Sequence, residues 1–267
     1  MSLRTSRALR PEDHDKIRES GVMTGEILDA LRPLIKPGIT TMEIEDSALM
    51  EVRARGAKAS FRGYRGFPFA TCISVNDDFV HGYPSDRVLK SGDIVTVDMG
   101  VLWKGYHSDS AYTFPVGDLS PKVISFLDSV WESLYASIAE AKPGSRAGED
   151  VGRACEEVVL SDGYQVSHEL MGHGIGTTLH KEPHIPNYRT RVPSMNAKLQ
   201  KDEAIAIEIM ASMGDPSTFQ KRDGWTLCTK DGSLTAHYEH TLFVKENPEI
   251  LTSSPLWERP PSELSCA

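Results

Sequence analysis

Apolar positions return every three or four residues in the first stretch of the chain. Ile17, Val22, Met23, Ile27, Leu28, Leu31 and Leu34 follow this spacing, Pro11 suits a first turn, and acids follow it. Residues 11–35 are therefore expected to form an amphipathic helix, ended by "KPGIT". Thr40 stands three residues before Glu43, a reciprocal capping arrangement that starts a second helix running to about Arg55. The period then changes. "TCISVN" alternates as a strand, and "DIVTVDMGVLW" and "YHSDSAYTFPV" are β-rich runs around "KG", a hairpin signature. Residues 121–142 are helical again, with Ile124, Leu127, Val130, Trp131, Leu134 and Ile138 on one face. "KPGSRAGED" echoes the earlier "KPGITTMEIED", and a short helix follows to about Leu160. "AIAIEIMAS", "GWTLCTK" and "TAHYEHTLFV" are three further strand-like runs.

Helix–helix–strands thus occurs twice. The pattern predicts an α+β fold made by duplication: a pseudo-two-fold antiparallel sheet assembled from both halves, with helices on one face. The expected organisation is an N-terminal arm (1–10), a single catalytic domain (11–251) and a Pro- and Ser-rich tail (252–267) without regular structure. One stretch, "HGIGTTLH" at 173–180, suits neither helix nor strand. Gly172, Gly174 and Gly176 flank or interrupt it, which is costly in a helix and weakening in a strand.

Composition narrows the function. A formal charge of −9 argues against nucleic acid or an anionic membrane as the main partner. No apolar run approaches the roughly 18 residues of a membrane span. Cys72, Cys155, Cys228 and Cys266 are scattered without a CxxC pair, which predicts free thiols in a reducing, cytoplasmic compartment. "MSLRTSRALR" has three arginines and no acid, like a transit peptide, but a helix start follows directly and the cytosolic reading is preferred.

The chemistry lies in acids set within strand-like runs. If the chain reverses near Lys104, Asp98 and Asp109 share a face and lie near each other. They are either a solvated pair on an exposed face or a metal pair. The alternation of Ile94, Thr96, Asp98 and Gly100 against the more apolar Val95, Val97, Met99 and Val101 fits the first reading in part. Glu208 and Glu239 sit in the middle of two further runs, a poor place for a lone glutamate. His173 completes a mainly oxygen-donor set. It is too hard for structural zinc and suits a pair of Mn²⁺, Fe²⁺, Co²⁺ or Zn²⁺ ions. Two divalent cations balance four carboxylates, and a metal pair activates water. A phosphate-loop reading of "GHGIG" lacks both the "GK[ST]" ending and the dinucleotide-fold spacing.

With "GYRGFP", "CISVNDDFVHGYP", "GDIVTVDMGV", "GYHSDSAYTF", "GHGIGTTLHKEP", "AIEIM", "GWTLCTKDGSLTAHYEHT" and "EILT", the chain resembles the type I methionine aminopeptidases, metallopeptidases of the pita-bread fold, over about residues 11–251. The resemblance implies removal of an N-terminal methionine that precedes a small residue. It implies that Asp98 chelates one of two metals, Asp109 and Glu239 bridge both, and His173 and Glu208 hold the second. His81, His180 and Glu208 would be catalytic, Glu208 moving the proton of the attacking water, with both histidines facing the substrate. Tyr64, Phe67, Cys72, Leu179 and Trp225 would line the pocket for the first side chain. His173 would bind metal while His180, seven residues on, reaches the scissile peptide. Its partners would be the N-termini of nascent polypeptides, at the ribosome exit region, met by a cytoplasmic monomer with no nucleic acid or membrane bound.

Departures from the family pattern are Ile209 where proline commonly follows the glutamate, Leu179 where an aromatic is frequent, and Phe67 where tyrosine is common. No N-terminal zinc-finger extension is expected, and Glu208 to Glu239 is too short for the type II insertion. His14, His107, His168, His184, His237 and His240 are expected to be surface or packing residues, with His237 and His240 the candidates for partners of Glu239. The runner-up is an Xaa-Pro aminopeptidase or prolidase, which carries a large extra N-terminal domain. A third reading is a binding module of the same fold that has lost its ligands, which this chain has not.

Overall fold

A computed structural model describes residues 10–264. Local signals hold. Helix α1 (Pro11–Leu31) starts on its proline and passes into one tighter turn, Arg32–Leu34. Helix α2 (Thr41–Ala54) is capped reciprocally: Glu43 N–H donates to Thr40 Oγ1 (3.2 Å) and Thr40 N–H donates to the Glu43 carboxylate (2.8 Å). Strands β1 (Lys58–Ala59), β2 (Thr71–Val75) and β3 (Asp78–Val80) precede the long hairpin of β4 (Ile94–Trp103) and β5 (Tyr106–Pro115). Lys104 (φ 48°) and Gly105 (φ 85°) both have positive φ, as the favoured two-residue hairpin turn requires.

The second half follows the same order. Helices α3 (Pro121–Glu140) and α4 (Arg153–Ser161) lead into β6 (Gln165–Val166), β7 (Met171–Gly174), β8 (Lys181–Pro186), β9 (Ala204–Ser212), β10 (Thr218–Gln220), β11 (Leu227–Thr229), β12 (Thr235–Phe243), β13 (Glu249–Ile250) and the single turn α5 (Pro261–Leu264). One sheet centres on β4, paired with β1, β2 and β5. The other has the order β13-β12-β9-β7-β8, with β6 beside β9. A small sheet, β10-β11-β3, takes the "GWTLCTK" run. Every named pairing is antiparallel.

The two halves meet along β5 and β12, and hydroxyl groups join them. Thr241 Oγ1 accepts from Asp109 N–H and donates to Asp109 C=O, both at 2.8 Å. Thr113 Oγ1 does the same for His237, both at 2.9 Å. Ser110 Oγ donates to Glu239 C=O at 2.7 Å. The two threonine bridges exchange under the pseudo-two-fold relation, so Asp109 on β5 corresponds to His237 on β12. Helix α1 lies across β4 and β5, and α3 across β9 and β12. One apolar core fills the space between sheet and helices. It takes Val95, Val97 and Met99 from β4 and Ile205, Ile207 and Ile209 from β9. Asp98 and Glu208, at the alternate positions of these strands, face the other way.

The tail differs from expectation. Its described part is ordered: Pro255–Glu258 form a helical turn, and Leu256 and Trp257 are buried. Trp257 packs against Tyr112 (4.8 Å between ring centroids) and His240 (3.8 Å). These two apolar side chains outweigh the Pro and Ser around them. Upstream, residues 251–253 cross α1 at its two glycines. A Cβ on Gly21 would lie 2.6 Å from Leu251 O, and one on Gly25 2.5 Å from Thr252 O. Residues 1–9 and Cys266 lie outside the described residues, while Cys72, Cys155 and Cys228 are free thiols.

Gly25→Ala should therefore be overpacked, because the obstructing atoms are backbone. The expected loss is about 1–3 kcal/mol of unfolding free energy in urea. Glu26→Ala, on the exposed face of the same turn, should stay within about 0.5 kcal/mol.

Candidate active site

A cavity of about 560 Å³ opens on the sheet face opposite the helices and draws its walls from both halves. Asp98 pairs with Ala111 and Asp109 with Gly100, so the two carboxylates are diagonal neighbours on one face of the hairpin. The solvated-pair reading fails on burial: Asp98 is 9% and Asp109 3% exposed. Glu208 and Glu239 stand directly opposite each other on β9 and β12. Like charges at such a position destabilise a sheet.

His173, on β7 opposite Ala206, brings its Nε2 to 3.8 Å from Glu208 Oε1 and 4.0 Å from Asp109 Oδ2. Its Nδ1–H donates to Gly174 C=O at 3.0 Å, which leaves the Nε2 lone pair facing the acids. Burial, then the neighbouring histidines, hold its pKa at about 3, so the ring is neutral. The stretch that suited no element thus begins as a strand, and its glycines allow close approach. A Cβ on Gly172 would meet Ala206 O at 2.4 Å, and one on Gly174 would meet Glu182 O at 2.2 Å.

No lysine or arginine among the described residues pairs with any of the four carboxylates. Burial, followed for Asp109, Glu208 and Glu239 by the charges of their neighbours, raises all four above the usual carboxylate range, Asp98 to about 8. Asp98 Oδ1, Asp109 Oδ1 and Glu239 Oε1 are buried without a hydrogen-bond partner. Donor atoms of Asp98, Asp109 and Glu239 lie within 4.8 Å of one another, as do those of His173, Glu208 and Glu239. Orphaned oxygens, clustered donors and a lone-pair imidazole nitrogen together fit divalent cations.

His237 was expected to be a bland residue and at most a partner of Glu239. Its Nε2 lies 3.4 Å from Glu208 Oε2 and 3.7 Å from Glu239 Oε2, and it has no hydrogen-bond partner. Burial keeps it neutral, with a pKa of about 3. Met210 also lines the cavity. Both follow from the period of two that placed Glu208 and Glu239. His184 reaches the cavity too. His240 instead bonds Thr252 (2.8 Å), His168 stacks on Tyr188, His107 bonds Ser60, and His14 packs on Phe243.

Beside the acids is an apolar wall. Phe67, Cys72 and Trp225 line it, with Trp225 edge-on to Phe67 at 5.1 Å. Phe61, absent from the sequence reading, joins them. The buried Glu45 of α2 accepts from Ala70 N–H (2.7 Å) and Thr71 N–H (2.9 Å), fixing the segment that carries Cys72. Leu179 is 2% exposed and sits in the apolar cluster behind this wall, not among the cavity-lining residues. His81 and His180 both face the cavity. His81 has a φ of 57°, and its turn is clasped to the Trp225 loop: Tyr83 N–H donates to Thr226 Oγ1 at 3.2 Å. Tyr64 also lines the cavity, its hydroxyl 2.9 Å from His180 Nδ1.

Two antiparallel strand pairs, β4–β5 and β9–β12, that each carry two acids to one cavity define a class. The chain belongs to metallopeptidase family M24, whose model matches residues 15–246, and divalent-metal dependence goes with that family. A methionine aminopeptidase of Aquifex aeolicus is 40% identical over 246 residues, covering 89% of this chain and 95% of the relative. The crystal structure of the Thermotoga maritima methionine aminopeptidase is similar at a TM-score of 0.89 and 40% identity, covering 93% of this chain and 99% of that one. The Pyrococcus furiosus prolidase shares the fold alone, at 23% identity and a TM-score of 0.75, and the match covers 92% of this chain and 65% of that chain.

A bound divalent cation should stabilise this chain by relieving the repulsion among its acids. At one hundred times the dissociation constant the expected gain is about 2.7 kcal/mol, read as a rise in melting temperature that chelation reverses. Asp109→Asn removes one repelling charge. The metal-free variant should be at least as stable as the metal-free parent, while its melting temperature responds less to Mn²⁺.

Proposed function

We propose that this chain is a methionyl aminopeptidase that removes the first methionine of polypeptides when a small residue follows. The observation that carries the reading is the set of four acids, Asp98, Asp109 and Glu239 buried and Glu208 nearly so, with no lysine or arginine partner among the described residues, beside an apolar wall. Likeness to methionine aminopeptidases over nearly the whole chain supports it. Asp98, Asp109, His173, Glu208 and Glu239 would hold two divalent ions, Mn²⁺, Co²⁺, Fe²⁺ or Zn²⁺, with Asp109 and Glu239 shared. Bound there, the ions would acidify water and polarise the first peptide carbonyl.

The protein's own groups do the rest. The methionine side chain packs along Tyr64, Phe67, Cys72 and Trp225, where a flexible thioether gains contact with aromatic edges. Leu179 backs this wall. A Glu208 carboxylate oxygen takes a proton from the attacking water and returns it to the leaving amine as the C–N bond breaks. His81 and His180 hydrogen-bond the scissile peptide and crowd the second residue, favouring a small one. Ile209 supplies extended backbone in place of proline and keeps Glu208 aimed across the site.

The substrates are the N-termini of nascent polypeptides at the ribosome exit region, and the protein is a cytoplasmic monomer. Residues 11–251 act as one catalytic domain, onto whose core Leu256 and Trp257 of the following segment pack. No described helix is long and apolar enough to cross a membrane.

Three measurements test this reading. Chelation should abolish hydrolysis of Met-Ala-Ser, and Mn²⁺, Co²⁺ or Fe²⁺ should restore it. Full activity in a sample shown to be metal-free would overturn the two-metal assignment. His180→Ala should keep its metal but turn over about 10²-fold more slowly, the scale for losing one stabilising donor. Loss of metal instead would make His180 a ligand. Across tripeptides differing in the first residue, kcat/KM should be highest for Met and lower for Leu by about 1–3 kcal/mol in barrier. Lys and Glu should be released essentially not at all. A requirement for proline in second position would point to the prolidase reading.

A further inference from the structure

Tyr64 was expected only as part of the wall around the first side chain. Its placement shows more. The phenol oxygen lies 2.9 Å from His180 Nδ1, and the two rings sit 5.1 Å apart, tilted by 48°. His180 Nε2 has no hydrogen-bond partner among the described residues. The His180 ring is also packed edge-on against His173, with centroids 4.2 Å apart.

A neutral imidazole carries one proton, and the bond made by one nitrogen decides what the other can do. A phenol is a better donor than acceptor toward an imidazole lone pair. With the Tyr64 hydroxyl donating to Nδ1, the ring proton sits on Nε2. That nitrogen is then a donor, the form needed to stabilise negative charge growing on a carbonyl oxygen. The opposite tautomer would aim a lone pair at the same place and repel it.

The anchor itself is fixed. Tyr64 N–H donates to Phe61 C=O (2.9 Å), Phe67 N–H to Tyr64 C=O (2.9 Å) and Gly63 N–H to Phe67 C=O (2.7 Å). Arg65, at φ 49°, closes this turn and lays its guanidinium 5.4 Å from the Tyr64 ring centroid. His180, by contrast, sits on the irregular connection between β7 and β8. A rigid turn therefore holds a residue on a less regular one.

We propose that Tyr64 is a positioning residue for catalysis: its hydroxyl sets the tautomer and aim of His180, so that Nε2–H points at the scissile peptide. This rests on the reading of His180 as a substrate contact in a methionyl aminopeptidase.

Tyr64→Phe keeps the ring and the wall and removes only the hydroxyl. On Met-Ala-Ser, kcat should fall about tenfold with KM and metal content unchanged, the scale of one lost hydrogen bond in the transition state. In a His180→Ala background the same substitution should cost nothing further. Nitrogen NMR of the parent should show His180 as the Nε2–H tautomer and the variant a mixture. Parental kcat in Tyr64→Phe would overturn the proposal. So would a rise in KM at constant kcat, the signature of a wall residue, or an equal loss in the His180→Ala background. A parent that releases no methionine from Met-Ala-Ser would sink the activity assignment instead, and the two failures are told apart by that first measurement.

Discussion

Four carboxylates in one cavity, with no lysine or arginine partner among the described residues, form the constraint on which the rest of this structure depends. Glu208 and Glu239 face each other across a ladder, and Asp98 and Asp109 lie diagonally across another. A sheet with this face would be unfavourable as a bare scaffold. The neighbouring groups are arranged to leave that charge unneutralised. His173 is locked with its proton turned away, toward Gly174 C=O, and His237 is kept neutral by burial. The donor set fits divalent cations, and the folded form carries an electrostatic cost among its acids.

Joining two sheets edge to edge would ordinarily need a continuous backbone ladder. Here, Thr241, Thr113 and Ser110 insert hydroxyls between β5 and β12. Donor atoms of Asp109 and Glu239, on opposite sides of this seam, lie within 4.8 Å of each other. The same seam explains why a histidine and an aspartate occupy corresponding places in the two halves.

Much of this was legible in the residues. Capping at Thr40 and Glu43, the turn at Lys104 and Gly105, and the strands around Asp98, Asp109, Glu208 and Glu239 all carry local signals, and the structure follows them. What sequence could not decide was which face of a strand is dry. Thr96 and Asp98 look like a polar solvent face, yet both are buried, because burial is a tertiary property. His237 is the partner of Glu239 that its nearness in sequence suggests, whereas Met210, which shares the period of two with Glu208, carries no polar signal and goes unread. Leu179 was placed on the cavity wall from resemblance alone, and chain geometry seats it one layer deeper. Trp257 went unrecognised because Pro and Ser around it dominate the local composition.

That buried tryptophan bears on the order in which the molecule can be built. Tyr112, in the first hairpin, packs against Trp257, and the glycine face of α1 is covered by residues 251–253. The first half of the duplicated sheet is therefore roofed by chain that is synthesised about 145 residues later. Such contacts carry a large loop-closure cost before they form. A chain emerging in the N-to-C direction can make its first hairpin early but cannot seal its core until the last strand has passed. For this topology, the first half is closed over only once residues 251–257 have been made.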